Sequence, residues 1–343
     1  MEVPSILLNR LLSEAAKKRA SSLHLTIGSI PVVRINNQLL SLEEENIITL
    51  EMLDKMISSF LDANDLNYLS ANKEIVVVKT FAGSFRFRIN IFYQKNLPSV
   101  TFNYITDNIG GLAELGMPEI LEEVIKIKSG LLILAGNYGS GKTYSAAVLL
   151  EEINKNYKKR IITLEEPIEY SFISKKSIIE QREVGKDTMN IASGLKYCLE
   201  EDVDIIYVGE VRKNFEEALP LIMELASGNS LVVLEVNAGS SIMAIEKVLN
   251  ALQVKYSESA ARYSLSDALV CVCTQRLLPK RGGGLALAAE VLVVNSTVKS
   301  FIREGEIFQI ESIIQTSRKD GMISMEKSIQ ELIKAGEVRL EDV

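Results

Sequence analysis

The chain has 343 residues, 47% of them hydrophobic, with 38 basic against 45 acidic side chains and a net charge of −7. That length accommodates two domains with separate cores, and the acidic balance argues against a nucleic-acid groove as the main business of the surface. No nucleic-acid partner is expected, and the longest apolar runs are strand length, well short of the ~20 residues of a membrane-spanning helix.

The N-terminal "MEVPSILLNRLLSEAAKKRA" reads as an amphipathic helix burying Leu7, Leu8, Leu11 and Leu12. It has an early glutamate and lacks the basic start and small-residue cleavage site of a signal peptide, so a cytoplasmic protein with no anchor of its own is expected. "LHLTIGSIPVVRINNQLLSL" holds short strands separated by Gly28 and by a turn at Asn36-Asn37. The single histidine, His24, sits in the apolar alternation "SLHLTI" and reads as structural; a zinc site or a Ser-His-Asp triad built on it has no support. "TLEMLDKMISSFL" predicts a helix begun by Thr49, with Leu50, Leu53, Met56, Ile57 and Phe60 on one face. "EIVVVKT", "SFRFRINIFYQ" and "SVTFNYI" then complete a small antiparallel sheet. Strand alternation sends Phe85 and Phe87 one way and Arg86 and Arg88 the other. A double-arginine face is either solvated or available to phosphates of a neighbour.

Residues 106–116 shift towards glycine and lose periodicity, which places a linker between an N-terminal domain, 1–105, and a second domain, 117–343. Strands are expected at 131–135, 160–165, 178–182, 204–209 and 231–236, with helices between most of them. That alternation predicts an α/β domain with a largely parallel sheet and its site at the C-terminal strand ends. Cys198 falls in a helix, while Cys271 and Cys273 alternate in "ALVCVCTQ". A C-x-C pair with no histidine or second cysteine pair reads as buried thiols rather than a metal site. "QRLLPKRGGGLALAAEVLVV" predicts a hairpin closing over the triple glycine, and short helices finish the chain, one stopping at Gly336.

"LLILAGNYGSGKTYS" carries the chemistry. The pattern G-x-x-x-x-G-K-T is complete from Gly136 to Thr143, after an apolar strand and before a helix. In a phosphate cradle the glycines let backbone N–H groups converge on phosphate oxygens. The lysine reaches the β- and γ-phosphates, the hydroxyl ligates magnesium, and the helix N-terminus adds positive potential. A plain glycine-rich turn is the competing reading, and the strand-then-helix context favours the cradle. Hydrolysis further needs a held magnesium ion and an oriented water. "VDIIYVGEVR" puts Glu210 just past an apolar strand, where a Walker B carboxylate belongs. "IITLEEPIEY" ends another strand with Glu165, Glu166 and Glu169, which repel one another unless a cation or solvent offsets them.

Taken in order, "GNYGSGKT", "ITLEEPIEY", "EQREVGKDT", "DVDIIYVGEVR" and "TQRLLP" resemble the PilT branch of the type II/IV secretion ATPases, the family that powers retraction of type IV pili. "ASSLHL", "RFRIN" and "SFIREGEIFQIESIIQTSRKDGM" extend the resemblance over nearly the whole chain. It implies an α/β fold class: a small PAS-like N-terminal α+β domain followed by a RecA-like P-loop ATPase domain. It also implies a homohexamer that binds ATP and Mg2+ between domains and between subunits. The implied partners are the inner-membrane platform protein of a type IV pilus system and a paralogous pilus ATPase, with the protein peripheral at the inner face of the cytoplasmic membrane. The nucleotide-binding residues become Gly136, Asn137, Tyr138, Gly139, Ser140, Gly141, Lys142, Thr143 and Tyr144, with Thr143 and Glu210 holding the metal. Glu165, Glu166 and Glu169 match the acidic box, Glu169 standing where water is activated. Arg86 and Arg88 match N-terminal arginines, at least one of which is expected near the phosphates.

The departures concern catalysis. The family's "TGHLVFGTLHT" is here "SGNSLVVLEVNAG", with Asn229 or Ser230 and Asn237 in place of histidines. Asparagine hydrogen-bonds but carries neither proton nor charge, and the alternative carrier of the signalling role is Glu235, beside this segment on the opposite strand face, or another group. Asn103 stands where an arginine is expected, and Lys299 replaces a tail-helix arginine, keeping charge but losing the bidentate fork. Two readings therefore stay open: a hexameric ATP-hydrolysing motor driving pilus retraction, and a slow ATP-binding paralogue that assembles with or regulates a true motor. A small-molecule kinase would share the phosphate loop but explains neither the N-terminal domain nor "QREVGKDT".

Overall fold

The computed structural model describes residues 3–18, 20–35, 38–106 and 109–343; the turn expected at Asn36-Asn37 and the early Glu2 lie outside them. Two compact units emerge, Met1–Asn108 and Ile109–Val343.

The first unit is α+β. Its elements are α1 (Pro4–Lys17), β1 (Ser22–Thr26), β2 (Val32–Ile35), β3 (Gln38–Ser41), α2 (Leu50–Phe60), α3 (Ala63–Asn72), β4 (Glu74–Phe81), β5 (Phe85–Gln94) and β6 (Leu97–Ile105). Proline opens α1, where its missing N–H costs nothing, and Leu7, Leu8, Leu11 and Leu12 are buried as the spacing requires. The strands form one antiparallel sheet in the order β3-β2-β1-β6-β5-β4. One face supplies Leu23, Leu25, Val77, Phe87, Ile89 and Phe102 to a core shared with α1 and α2. Arg86, Arg88, His24 and Thr101 occupy the other face. His24 bridges Ser22 and Thr101 through its two ring nitrogens, at 2.8 and 3.1 Å, which gives it a structural task.

Two local expectations need correction. Leu50 is 43% exposed: it is the first residue of α2, after the Thr49 cap, and the buried stripe starts one turn later at Leu53. Helix α3 has no counterpart in the sequence reading. Half its residues are polar, and only Leu69 is buried, with Leu66 packed against the core, so no sustained apolar period announces it; the Asp62 cap, accepting from the Asp65 N–H at 2.9 Å, starts it.

The second unit opens with α4 (Leu112–Leu115), inside the segment read as linker, and α5 (Ile120–Val124). Then come β7 (Gly130–Gly136), α6 (Lys142–Asn156), β8 (Arg160–Glu165), β9 (Ile178–Glu183), α7 (Ile191–Leu199), β10 (Ile205–Val208), α8 (Phe215–Ser227), β11 (Leu231–Val236), α9 (Ser241–Leu252) and α10 (Glu258–Ala268). The hairpin β12 (Leu269–Pro279) and β13 (Leu285–Val293) follows, then α11 (Ser296–Glu304), α12 (Ile310–Thr316) and α13 (Met325–Lys334). The sheet runs β13-β12-β7-β11-β10-β8-β9, parallel except for β13. Helix α6 covers one face, while α7, α8, α9 and α10 cover the other. Every residue of β7, β10 and β11 is consequently buried, which is why these strands read as unbroken apolar runs. The three cysteines are buried free thiols.

Candidate nucleotide-binding site

Strand β7 delivers the chain to the loop 137–141 between its C-terminal end and the start of α6. Gly136 has φ +150°, and a Cβ there would meet Ser140 Oγ at 2.3 Å and the Gln275 carbonyl at 2.7 Å. Only glycine permits that closure. Gly139 and Gly141, at φ +78° and +87°, turn the backbone through the left-handed region. The loop thus curls at the N-terminus of a 15-residue helix, closed by the Ser140 N–H donating to the Asn137 carbonyl at 3.2 Å. Asn137, Tyr138 and Gly139 are exposed at its rim, while Ser140 and Lys142 are buried. Ser140 Oγ has no hydrogen-bond partner among the described residues, a vacant valence inside the cradle that a phosphate oxygen fits. Tyr144 turns aside: its hydroxyl accepts the Gly110 N–H at 3.1 Å and its ring meets Tyr170 at 5.7 Å.

Lys142 Nζ donates to the carbonyls of Gly136 and Asn137, both at 3.0 Å. Burial pulls its pKa down, against the opposing charges of Glu235 and Glu210. Thr143 Oγ1 donates to Glu235 Oε2 at 3.3 Å, and Tyr207 donates to the other oxygen of Glu235 at 2.6 Å. Glu235, the penultimate residue of the otherwise apolar β11, is 4% exposed, and burial pushes its carboxyl up to about 7.

Glu210, just past β10, accepts from Asn237 Nδ2 with one oxygen and lies 3.5 Å from Arg212 with the other. The asparagine standing in for a histidine is therefore bonded to the Walker B position. Asn229 and Ser230 are elsewhere. They precede β11, whose six residues span roughly 20 Å, so they sit at the end of the sheet opposite the phosphate loop. Asn229 is exposed there, and Ser230 Oγ is committed to the Val203 carbonyl at 2.7 Å.

The acidic box divides by burial. Glu165, the last residue of β8, is 4% exposed and accepts from Thr163 at 2.6 Å and Gln181 at 3.2 Å. Burial raises its carboxyl to about 7 as well. Glu166 is exposed before the cis peptide to Pro167, and Glu169 is half-buried, its charge felt by Glu165, Glu235 and Tyr207. The second unit thus gathers the loop, Glu210, Glu165, Glu169 and Glu235 at the C-terminal ends of β7, β8, β10 and β11. Arg86 and Arg88 belong to the first unit's polar sheet face. Among the described residues no three His, Cys, Asp or Glu side chains form a metal cluster. A magnesium ion bound through one or two protein ligands plus substrate phosphates needs no such cluster. The donors of this site, a hydroxyl and carboxylates, suit that hard cation.

Tyr207 is the functional candidate that motif reading did not select. Glu235, the alternative carrier of the signalling role, bonds the Thr143 hydroxyl, and its burial gives the reason: a carboxylate inside a doubly covered parallel strand has no solvent to face, so it must have partners.

A phosphate loop at the sheet's crossover point, with acidic strand ends beside it, defines a RecA-like P-loop nucleotide-binding domain. The family model for type II/IV secretion system proteins matches residues 2–343. The type IV pilus retraction ATPase PilT of Pseudomonas aeruginosa is 31% identical over 98% of this chain and 96% of its own. The type IV pilus ATPase PilU of the same organism is 29% identical over 97% of this chain and 86% of its own. A crystal structure of the pilus retraction motor PilT with bound ADP superposes with a TM-score of 0.82 at 32% identity, covering 97% of this chain and 95% of that one. The chain belongs to the type II/IV secretion system protein family, and it is a nucleotide-binding ATPase of that family.

Proposed function

We propose that this chain hydrolyses ATP in the presence of Mg2+ as one subunit of a homohexameric motor that drives type IV pilus retraction. The carrying observation is that Lys142, Thr143 and the carboxylates meet at one end of the β7–β11–β10–β8 sheet, in a chain akin to the retraction ATPase from end to end. In this reading Lys142 exchanges its two loop carbonyls for phosphate oxygens, and the N–H groups of Gly139 to Thr143 bind the phosphates. Thr143 and Glu210 would hold Mg2+, which when bound supplies Lewis-acid neutralisation of the phosphate charge. Glu169 orients the attacking water and accepts its proton, while Glu165 and Glu166 set the surrounding field. Arg86 or Arg88 serves a nucleotide across a subunit boundary. The platform protein of a type IV pilus system, at the inner face of the cytoplasmic membrane, is the proposed partner, and no helix among the described residues is long and apolar enough to cross that membrane.

The second reading, a slow paralogue working beside a true motor, draws on Asn237. An amide bonded to Glu210 reports phosphate loss without any change of charge. One experiment tests both: steady-state ATPase activity of the purified protein with its oligomeric mass measured in the same buffer. Hexamers with turnover that Glu210→Gln abolishes support the motor. Hexamers that bind ATP but barely turn over support the paralogue, and absence of ATP binding sinks both.

A further inference from the structure

Thr143 is the hydroxyl that meets magnesium in the reading above, and a hydroxyl ligand performs best when its single hydrogen is committed elsewhere. In this chain that hydrogen goes to Glu235, at 3.3 Å. Glu235 is itself fixed from the other side by Tyr207 at 2.6 Å, and its charge acts on Lys142. Glu210 does not share the task here: one of its oxygens is taken by Asn237 and the other faces Arg212. Glu235 is 4% exposed on a strand whose every residue is buried, so its carboxylate has no solvated alternative to these partners.

We propose that Glu235 is a positioning residue of the metal site, holding the Thr143 hydroxyl hydrogen so that the oxygen's lone pairs are presented to the cation bound with the nucleotide. The inference rests on the proposed Mg2+-nucleotide site and adds to it a carboxylate outside the Walker and acidic-box motifs. Outer-sphere partners of this kind orient the ligand and raise its basicity, and their loss typically weakens metal affinity 10–100-fold. The geometry also makes Glu235 act through Thr143 rather than beside it, which a double-mutant cycle reads directly.

The test uses the full chain, ADP and Mn2+, with bound metal followed by the loss of the free-ion electron paramagnetic resonance signal and ADP followed by calorimetry. Glu235→Gln keeps the shape and removes the charge; Glu235→Asp keeps the charge and withdraws it from the hydroxyl. Both should weaken Mn2+ binding in the ADP complex by about tenfold or more, a larger loss than either causes in ADP affinity measured in EDTA. Thr143→Val should lose metal affinity to a similar extent, and adding Glu235→Gln to it should cost nothing further. Wild-type Mn2+ affinity in both Glu235 variants overturns the proposal, as does a full additional loss in the double variant. If Glu235→Gln fails to fold by circular dichroism, Glu235→Asp carries the same comparison. A wild-type chain that binds no ADP even with metal would instead overturn the nucleotide-site reading beneath it.

Discussion

Two carboxylates end neighbouring parts of one sheet in nearly the same surroundings, and they are built for different tasks. Glu165 on β8 and Glu235 on β11 are each 4% exposed, and burial raises each to about 7. Glu165 takes its hydrogen bonds from Thr163 and Gln181, residues of the sheet itself. Glu235 takes one of its two from Thr143, in the first turn after the phosphate loop, and shares a field with Lys142. Equal burial therefore does not imply equal function; the partner decides. A carboxylate satisfied within the sheet tunes stability and local field, whereas one satisfied by the loop is coupled to whatever the loop binds.

The hardest blow to this contrast comes from the loop side. Lys142→Ala removes a cation whose charge acts on Glu235 and should lower ATP affinity by about a hundredfold or more, since charge-assisted bonds to phosphate are lost from a buried site. Unchanged affinity in a calorimetric titration would detach the β11 end from nucleotide altogether. Glu210→Gln should retain MgATP binding yet slow turnover on the order of a hundredfold, as loss of a preorganised electrostatic group does. Wild-type kcat in a coupled assay would move the essential carboxylate away from Glu210.

On the sheet side the readout is stability. Glu165 holds its proton more tightly folded than unfolded, so between pH ~4.5 and ~7 the native state binds more protons. Its contribution is present in full below the unfolded value and fades as pH rises through 7. Over that window the loss is roughly 3 kcal/mol at most. Glu165→Gln should flatten that part of a denaturation series run from pH 5 to pH 8. A series with unchanged slope would show that Glu165 is not protonated in the fold.

The smallest expected effect sits beside Glu210. Asn237→His places an ionisable ring against the Walker B carboxylate and should raise turnover by up to about tenfold, ~1.4 kcal/mol of barrier. A second histidine at Asn229 should add nothing, because that residue lies at the far end of β11. A gain that requires both would contradict the placement.

What could be read in advance follows from how much of the chemistry is local. The loop from Gly136 to Thr143, its strand and its helix are contiguous, and the fully covered strands announce themselves as apolar runs. Thr49 and the alternation of Phe87 with Arg88 are equally local signals. The Thr143–Glu235 contact joins residues 92 positions apart and depends on which strands are neighbours. Motif spacing does not contain that order. Asn229 or Ser230, matched to a histidine of the motif string, lies away from the loop for the same reason: matching a motif string says nothing about which end of a strand faces the loop. Helix α3 escaped because its polar sequence leaves only the Asp62 cap to mark it.

Gly136 gives the molecule an asymmetry in how it tolerates inherited change. No side chain fits between Ser140 and the Gln275 carbonyl, and the backbone at φ +150° disfavours any other residue. The end of β7 and the middle of β12 are pressed together there, so a substitution at this position would disturb the loop and the hairpin strand in one step. Asn237, by contrast, is half-buried at the end of β11 and held by a side-chain amide that several residue types could replace. The loop proposed to grip a nucleotide is thus fixed by close packing, while the residue proposed to sense its state is free to be exchanged one residue at a time.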